Sequence, residues 1–154
     1  MLFIIGFLFM VFMFATMSIL GGGLLVQFVD LPSALFILVS VLFFFFTSKS
    51  GSVLGRYFKT SFKKDHIYAK AELASLSSAA KNTGKFILSV GGFGFVIGIM
   101  LSLINLEDKQ KLGPNLAVSL LTLLYAIAIS VFVFLPVQAW AENKLNALQV
   151  KEEK

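Results

Sequence analysis

Four long runs without a charged residue constrain the fold of this chain more than any other feature. The runs are Leu2–Leu20, Leu31–Thr47, Phe86–Leu106 and Leu116–Gln138. A helix needs about 20 mostly apolar residues to cross a bilayer, and the second run, with 17 residues, needs its neighbours or a thinned bilayer to cross fully. Only 14% of the residues are charged, against about 25% in a typical soluble domain. We therefore predict an all-α integral membrane protein, one membrane domain over residues 1–154, with four transmembrane helices over these runs.

The first run admits two other interpretations. A cleaved signal peptide is disfavoured, because the run lacks a basic segment before it and no small-x-small cleavage site follows Leu20. The first two runs could also form a hairpin buried in the membrane. Both alternatives stay open at the level of sequence.

The basic residues predict the topology. Segment 48–85 holds eight of the 13 Lys and Arg residues, the tail 139–154 holds three, and the connection 105–115 holds Lys109 and Lys111. The connection 21–33 holds none. Since cytoplasmic loops carry the excess of Lys and Arg, four spans place both termini and the loop 48–85 in the cytoplasm. Basic residues that flank spans are ordinary topology signals, so we predict no nucleic-acid partner.

Glycine and proline mark the predicted ends of the spans. Gly21–Gly23 ends or bends the first helix. Asp30 and Pro32 mark the start of the second span, because proline is tolerated in the first turn of a helix. Gly113-Pro114 is predicted to lie just before the fourth span.

The cytoplasmic segment is predicted to form two short helices. Apolar residues at helical spacing indicate the first, either at the headgroup level or as a continuation of the second span; they are Val53, Leu54, Tyr57, Phe58 and Phe62. Segment 65–83 is rich in Ala and Ser and predicts the second. Gly84 is expected to break that helix before the third span.

No arrangement typical of an enzyme is found in the sequence. There is no cysteine, and the single histidine, His66, lies in a basic stretch that indicates a solvated loop. We predict no enzymatic activity, no cofactor and no metal site. None of the four runs contains Asp, Glu, Lys, Arg or His. Because proton paths through membranes normally use a titratable group, a second polypeptide must supply the carboxylate if protons move here.

Two of the runs carry stripes of small residues, each on one helical face. The third run has Gly91, Gly94, Gly98 and Ser102, and the fourth has Ser119, Thr122, Ala126 and Ser130. Small faces let membrane helices approach closely, so one interpretation is the packing of these two helices on each other. The other is that the faces line a path for an ion or contact a helix of another chain. The pattern alone does not choose between them.

The residues resemble the MotA-type stator subunits of the MotA/TolQ/ExbB proton channel superfamily. Those proteins have G-P, then A-V-A-L-L-T-T-L-Y-G and F-L-P, and the stretch from Gly113 to Pro136 reads GPNLAVSLLTLLYAIAISVFVFLP. The connection from Gly21 to Ser33, GGGLLVQFVDLPS, is similar to the family's G-G-x-L-x-x-F-x-D-x-P-S. The third run resembles its counterpart through its three glycines and the Asn105-Leu106 exit.

The resemblance implies a multi-pass protein of the bacterial inner membrane that forms a ring, taken to be a pentamer, around a MotB-like partner. The partner's helix carries the ion-binding aspartate, and ion passage turns the ring. The resemblance assigns the ion path or partner contact to Gly91, Gly94, Gly98, Ser119, Thr122, Tyr125, Ala126 and Pro136. Asp30 falls in the matching extracytoplasmic connection.

The chain departs from the family pattern in its loop and its third span. The loop 48–85 is much shorter than in the family, and Leu88 and Phe95 stand where the family usually has proline and threonine. Leu123 replaces the second threonine of the T-T pair, which argues against sodium and leaves the proton as the expected ion. Two rival functions remain open. One is a non-conducting structural or assembly protein that kept the fold, and the other is an ExbB- or TolQ-like energiser of an outer-membrane process.

Overall fold

The described residues form six α-helices and one π-helical segment. In this computed structural model they are residues 2–22, 28–60, 68–104, 106–107 and 109–152. The helices are α1 (Leu2–Leu20), α2 (Leu31–Ser48), α3 (Ser50–Thr60), α4 (Lys70–Ile104), α5 (Lys109–Ile129) and α6 (Leu135–Glu152), with the π segment Ser130–Phe134 joining the last two. The all-α prediction is thus confirmed for this part of the chain. Gly23, Phe62, His66 and Asn105, all named above, lie outside it.

Among the described residues, three helices are long and apolar enough to cross a membrane: Leu31–Ser48, Lys70–Ile104 and Leu112–Val150. A shorter apolar helix covers Ile4–Leu20. The protein is therefore a membrane protein with several spanning helices. A fourth span and the cytoplasmic placement of the termini stay predictions.

The turn signals before α2 act as predicted. The amide of Gly21 donates to the carbonyl of Met17 over 3.0 Å, and Gly22, with a φ of 65°, takes the left-handed conformation that glycine tolerates. Asp30 caps α2, because its carboxylate accepts a 2.8 Å hydrogen bond from the amide of Ser33. Pro32 lies in the first turn.

α3 is a separate helix and does not continue α2. Lys49 separates the two helices with a φ of 56°, a left-handed conformation that ends helices. α3 then packs back closely on α2, since an ideal Cβ on Gly51 would lie 2.7 Å from the Cβ of Phe45.

The predicted helix break at Gly84 is wrong. α4 is one helix of 35 residues, about 52 Å long at 1.5 Å per residue, so it extends well beyond a hydrocarbon core of about 30 Å. Gly84 lies inside it, where an ideal Cβ would be 3.2 Å from Oγ of Ser130 and 3.4 Å from Cβ of Phe134. The glycine therefore serves the approach of a neighbouring helix, and the tertiary contact outweighs its low helix propensity of about 1 kcal/mol relative to alanine.

The helix that carries the predicted fourth span begins before Gly113-Pro114, while the start of the span itself stays a prediction. α5 begins at Lys109 and contains Pro114. Proline costs a helix the hydrogen bond of its missing N–H, which is tolerable so close to the helix start. At the C-terminal end of α5 the helix continues through the π segment into α6, which ends at Glu152. Most of the predicted tail 139–154 is therefore part of this continuous helix.

The N-terminal parts of α4 and α6 pack together with α3 beyond the predicted spans. The Tyr57 and Trp140 rings lie 5.4 Å apart, and Tyr68 meets Trp140 edge-on at 5.4 Å. Glu142 accepts hydrogen bonds from Gln138 Nε2 at 3.0 Å and Ser77 Oγ at 2.9 Å. These hydrogen bonds lower the pKa of the Glu142 carboxyl. The helical bundle therefore continues beyond the apolar segments, on the side where the basic segments 48–85 and 139–154 lie.

Candidate functional site

The two predicted small-residue faces contact each other between α4 and α5. An ideal Cβ on Gly98 would lie 2.0 Å from Oγ of Ser119, and one on Gly91 would lie 2.1 Å from Cβ of Ala126. One on Gly94 would lie 2.8 Å from Cγ2 of Thr122. Because real Cβ atoms do not approach so closely, these positions need glycine for the helices to pack. The packing interpretation thus describes the contact within the subunit, while the role of these residues in an ion path stays a prediction.

Three hydroxyls on these faces, those of Ser102, Ser119 and Thr122, donate to carbonyls of their own helices. Ser119, 1% exposed, donates to the carbonyl of Asn115 over 2.7 Å. Thr122 donates to the carbonyl of Val118 over 3.0 Å, and Ser102 donates to that of Gly98 over 2.9 Å. Each buried hydroxyl therefore has its proton engaged, while its oxygen can still accept a hydrogen bond.

Ser33 is a site residue that the sequence analysis did not single out. Its Oγ lies 2.7 Å from Oγ1 of Thr122 and 3.4 Å from the carbonyl of Val118. With Thr122 donating to Val118, Ser33 donates to Thr122. Ser33 is 3% exposed, so solvent does not compete for this contact. The signal was its place in the D-x-P-S motif, but only the fold brings it to α5.

Tyr125 is joined to the segment that precedes α2. Its hydroxyl accepts a 2.9 Å hydrogen bond from the amide of Asp30 and donates to the carbonyl of Phe28. Asp30 therefore acts here through its backbone and as the cap of α2. The structure brings Tyr125 and Asp30 together as an anchor between α5 and the chain before α2.

A cavity of about 260 Å³ lies beside this group of hydroxyls. Its walls come from α2 (Pro32, Ser33, Phe36), α4 (Gly94, Ile97, Gly98, Leu101) and α5 (Asn115, Val118, Ser119, Thr122). Among these wall residues none is Asp, Glu, Lys, Arg or His, and Phe95 is not one of them although it neighbours Gly94. The cavity offers hydroxyl and carboxamide groups in an otherwise apolar wall.

Pro136 lies apart from the cavity. It follows Thr122 by 14 residues along one helical path, about 21 Å at 1.5 Å per residue. Pro136 lies in the first turn of α6, directly after the π segment. At the end of that segment the amide of Leu135 donates to the carbonyl of Ser130. π turns inside α-helices are rare and are often found at functional sites.

Comparison with known proteins places this arrangement in a family. Residues 51–154 match the model of the MotA/TolQ/ExbB proton channel family. The chain belongs to this family. The match covers every family-implied site residue on α4, α5 and α6, whereas Asp30 and Ser33 precede it. Members of the MotA/TolQ/ExbB family are channel-type proteins by that description.

Curated relatives of this MotA/TolQ/ExbB family chain align over part of their length. The uncharacterized protein YtxD of Bacillus subtilis is 41% identical over 67 residues, which are 44% of this chain and 25% of YtxD. Motility protein A of Borreliella burgdorferi is 40% identical over 67 residues, 44% of this chain and 26% of the relative. Chemotaxis protein PomA of Vibrio alginolyticus is 29% identical over 79 residues, which are 51% of this chain and 31% of PomA. The aligned part of the chain spans about a quarter to a third of these relatives.

Proposed function

We propose that this protein is a MotA-like subunit of a proton-driven motor or energiser in the bacterial inner membrane. It works with a MotB-like partner that supplies a transmembrane Asp, and it forms a homo-oligomer, a pentamer by family resemblance. Its four spans place both termini and the loop 48–85 in the cytoplasm. Family membership and the names Motility protein A and Chemotaxis protein PomA among its relatives support the class of machine.

The cavity between α2, α4 and α5 is the observation that carries this proposal. It adjoins the residues that the family resemblance assigns to the ion path, namely Gly94, Gly98, Ser119 and Thr122. Hydroxyl oxygens in its wall can accept a hydrogen bond, but a Ser or Thr side chain does not store a proton near neutral pH. A carboxylate from a second helix would therefore complete the path, as the absence of Asp, Glu, Lys, Arg and His from the four apolar runs requires.

The small side chains of α4 and α5 are compatible with a path in which this chain supplies the hydroxyl wall and a partner helix supplies the carboxylate. Close helix packing at Gly91, Gly94 and Gly98 keeps the subunit wall thin and rigid. A partner helix that carries Asp could then lie near the hydroxyls of Ser119 and Thr122. Proton transfer would depend on the partner's carboxylate, and this chain would orient it and exclude bulk water.

Proteoliposomes test the proposal directly. The chain is reconstituted alone, with a single-span MotB-like protein from the same organism if its neighbouring reading frame encodes one, or otherwise from a relative, and with that protein's transmembrane Asp replaced by Asn. We expect proton flux only with the unmodified pair, because this chain has no titratable group of its own in its spans. Flux from the chain alone would refute the need for a partner, and no flux from a pair that co-purifies would refute conduction.

A non-conducting structural role is the second candidate. The contact between the α4 and α5 faces and the hydrogen bonds within the chain satisfy the small residues without any ion. In this case the subunit would assemble with a partner and carry no flux. The reconstitution above separates the two functions, since assembly and flux are measured on the same sample.

A further inference from the structure

Pro136 leaves the backbone carbonyl of Phe132 without its usual α-helical donor. In an α-helix the carbonyl of Phe132 would accept from the amide of residue 136, but that residue is Pro136 and has no N–H. The neighbouring amide, of Leu135, is directed to the carbonyl of Ser130. In an apolar environment each backbone polar group without a partner costs several kcal/mol, so the surroundings of the Phe132 carbonyl matter.

Gly6 of α1 lies directly against that carbonyl. An ideal Cβ on Gly6 would be 1.9 Å from the oxygen of Phe132 and 3.0 Å from its carbonyl carbon. Gly6 is buried, while its neighbours Ile5 and Phe7 are more than half exposed. Only a Cα–H group fits in this space, and such a group can act as a weak donor to a carbonyl oxygen.

The contact extends to both sides of the π segment. On the α1 side the Phe9 and Phe132 rings meet edge-on at 5.4 Å. On the α4 side Ser130 donates to the carbonyl of Gly84 over 3.2 Å. The π segment is thus held between a glycine of α1 and a glycine of α4.

We propose that Gly6 is a positioning residue for the proline turn, the segment from Ser130 to Pro136. It lets α1 lie directly on the carbonyl that Pro136 deprives of its helical donor, and α1 thereby fixes the course of the helix from α5 to α6. A side chain at position 6 pushes α1 away from the Phe132 carbonyl. A donor at position 136 draws that carbonyl back along the helix axis and makes the glycine dispensable.

A double-mutant cycle tests this coupling. Gly6→Ala, Pro136→Ala and the double variant are compared with the parent by thermal unfolding in detergent, with Gly92→Ala as the matched control. An ideal Cβ on Gly92 meets no described atom within 4 Å. We expect Gly6→Ala to lower the unfolding midpoint by several degrees in the parent and to have no more effect than the control in the Pro136→Ala background. An equal lowering in both backgrounds, or none in the parent, would overturn the inference.

The double-mutant cycle still tests the coupling of Gly6 and Pro136 if one of the single variants folds poorly. If Gly6→Ala does not accumulate as folded protein, recovery of folded protein in the double variant supports the coupling, and failure to recover contradicts it. If Pro136→Ala fails to fold, Pro136→Gly restores the same N–H and takes its place.

A positioning role also predicts an effect on flux, and this second readout rests on the proposed function. With the MotB-like partner, Gly6→Ala should reduce proton flux at temperatures well below its unfolding midpoint while the oligomer stays intact. Flux equal to that of the parent would limit Gly6 to stability and overturn its positioning role. If the parent itself carries no flux, the proposed function fails, and the unfolding cycle still decides whether Gly6 and Pro136 are coupled.

Discussion

Oγ of Ser33 lies 2.7 Å from Oγ1 of Thr122. This contact joins the first turn of α2 to α5 across 89 residues of sequence, at the wall of the cavity beside Gly94 and Gly98. It gives Thr122 a partner inside the subunit, in addition to the role that the family resemblance implies. The first two predictions separate these roles.

Replacement of Thr122 separates hydrogen bonding from packing. Thr122→Val keeps the side-chain volume and removes Oγ1, so we expect a loss of about 0.5–1.5 kcal/mol in the free energy of unfolding. Thr122→Leu should cost more, because Cγ2 of Thr122 is already only 2.8 Å from an ideal Cβ on Gly94. Partner-dependent flux is measured on both variants. Its loss with Val indicates hydrogen bonding on the path, loss only with Leu indicates packing, and parental flux in both removes Thr122 from the path.

The effects of Ser33→Ala and Thr122→Val on the free energy of unfolding should be non-additive. Either change removes the same hydrogen bond, so the double variant should lose less than the sum of the single losses. Ser40→Ala is the matched control on α2, since Ser40 bonds only within its own helix in the described structure, to the carbonyl of Phe36. Denaturant unfolding in detergent gives the free energies. Strict additivity would mean that the Ser33–Thr122 contact contributes nothing measurable.

Substitutions on the α4 face should destabilise the subunit according to the space available. Gly91→Ala and Gly98→Ala force contacts of 2.1 Å and 2.0 Å with Ala126 and Ser119, and overpacking of this kind typically costs about 1–3 kcal/mol. Gly92→Ala, on the open side of the same helix, should be neutral or slightly stabilising. Unfolding midpoints of the three variants provide the comparison. Equal effects at all three positions would contradict the close α4–α5 contact.

Tyr125→Phe should weaken the anchor between α5 and the chain before α2. The change leaves the amide of Asp30 and the carbonyl of Phe28 without the tyrosine hydroxyl that bonds both. Loss of a partner for partly buried polar groups costs about 1–3 kcal/mol. Hydrogen exchange at the amide of Asp30 should accelerate together with the fall in stability. Unchanged exchange there would show that water or another group replaces the hydroxyl.

Reporter fusions test the topology. Fusions after Ser50 and at Lys154 should both report the cytoplasm, because 11 of the 13 basic residues lie in the segments 48–85 and 139–154. A fusion after Gln110 should report the opposite side and serves as the internal control. A periplasmic signal at Lys154 would exclude the four-span arrangement.

The sequence alone determined the helical class, the membrane location and the family. Apolar runs of span length have no other stable form in a bilayer, because the helix satisfies its own backbone groups. Local turn chemistry was also readable, as the cap by Asp30 and the end of α1 at Leu20 demonstrate. These features depend on residues close together in the chain.

Only the tertiary structure decided where helices end inside the bundle and which side chains meet. Gly84 and Pro114 are helix breakers by propensity, yet both lie within helices, because contacts with neighbouring helices or a position near the helix start outweigh the local cost. The pairs Ser33–Thr122 and Gly6–Phe132 join positions far apart in sequence. No local pattern encodes such distances, since they follow from the way in which α1, α2 and α4 pack against the continuous path of α5 and α6.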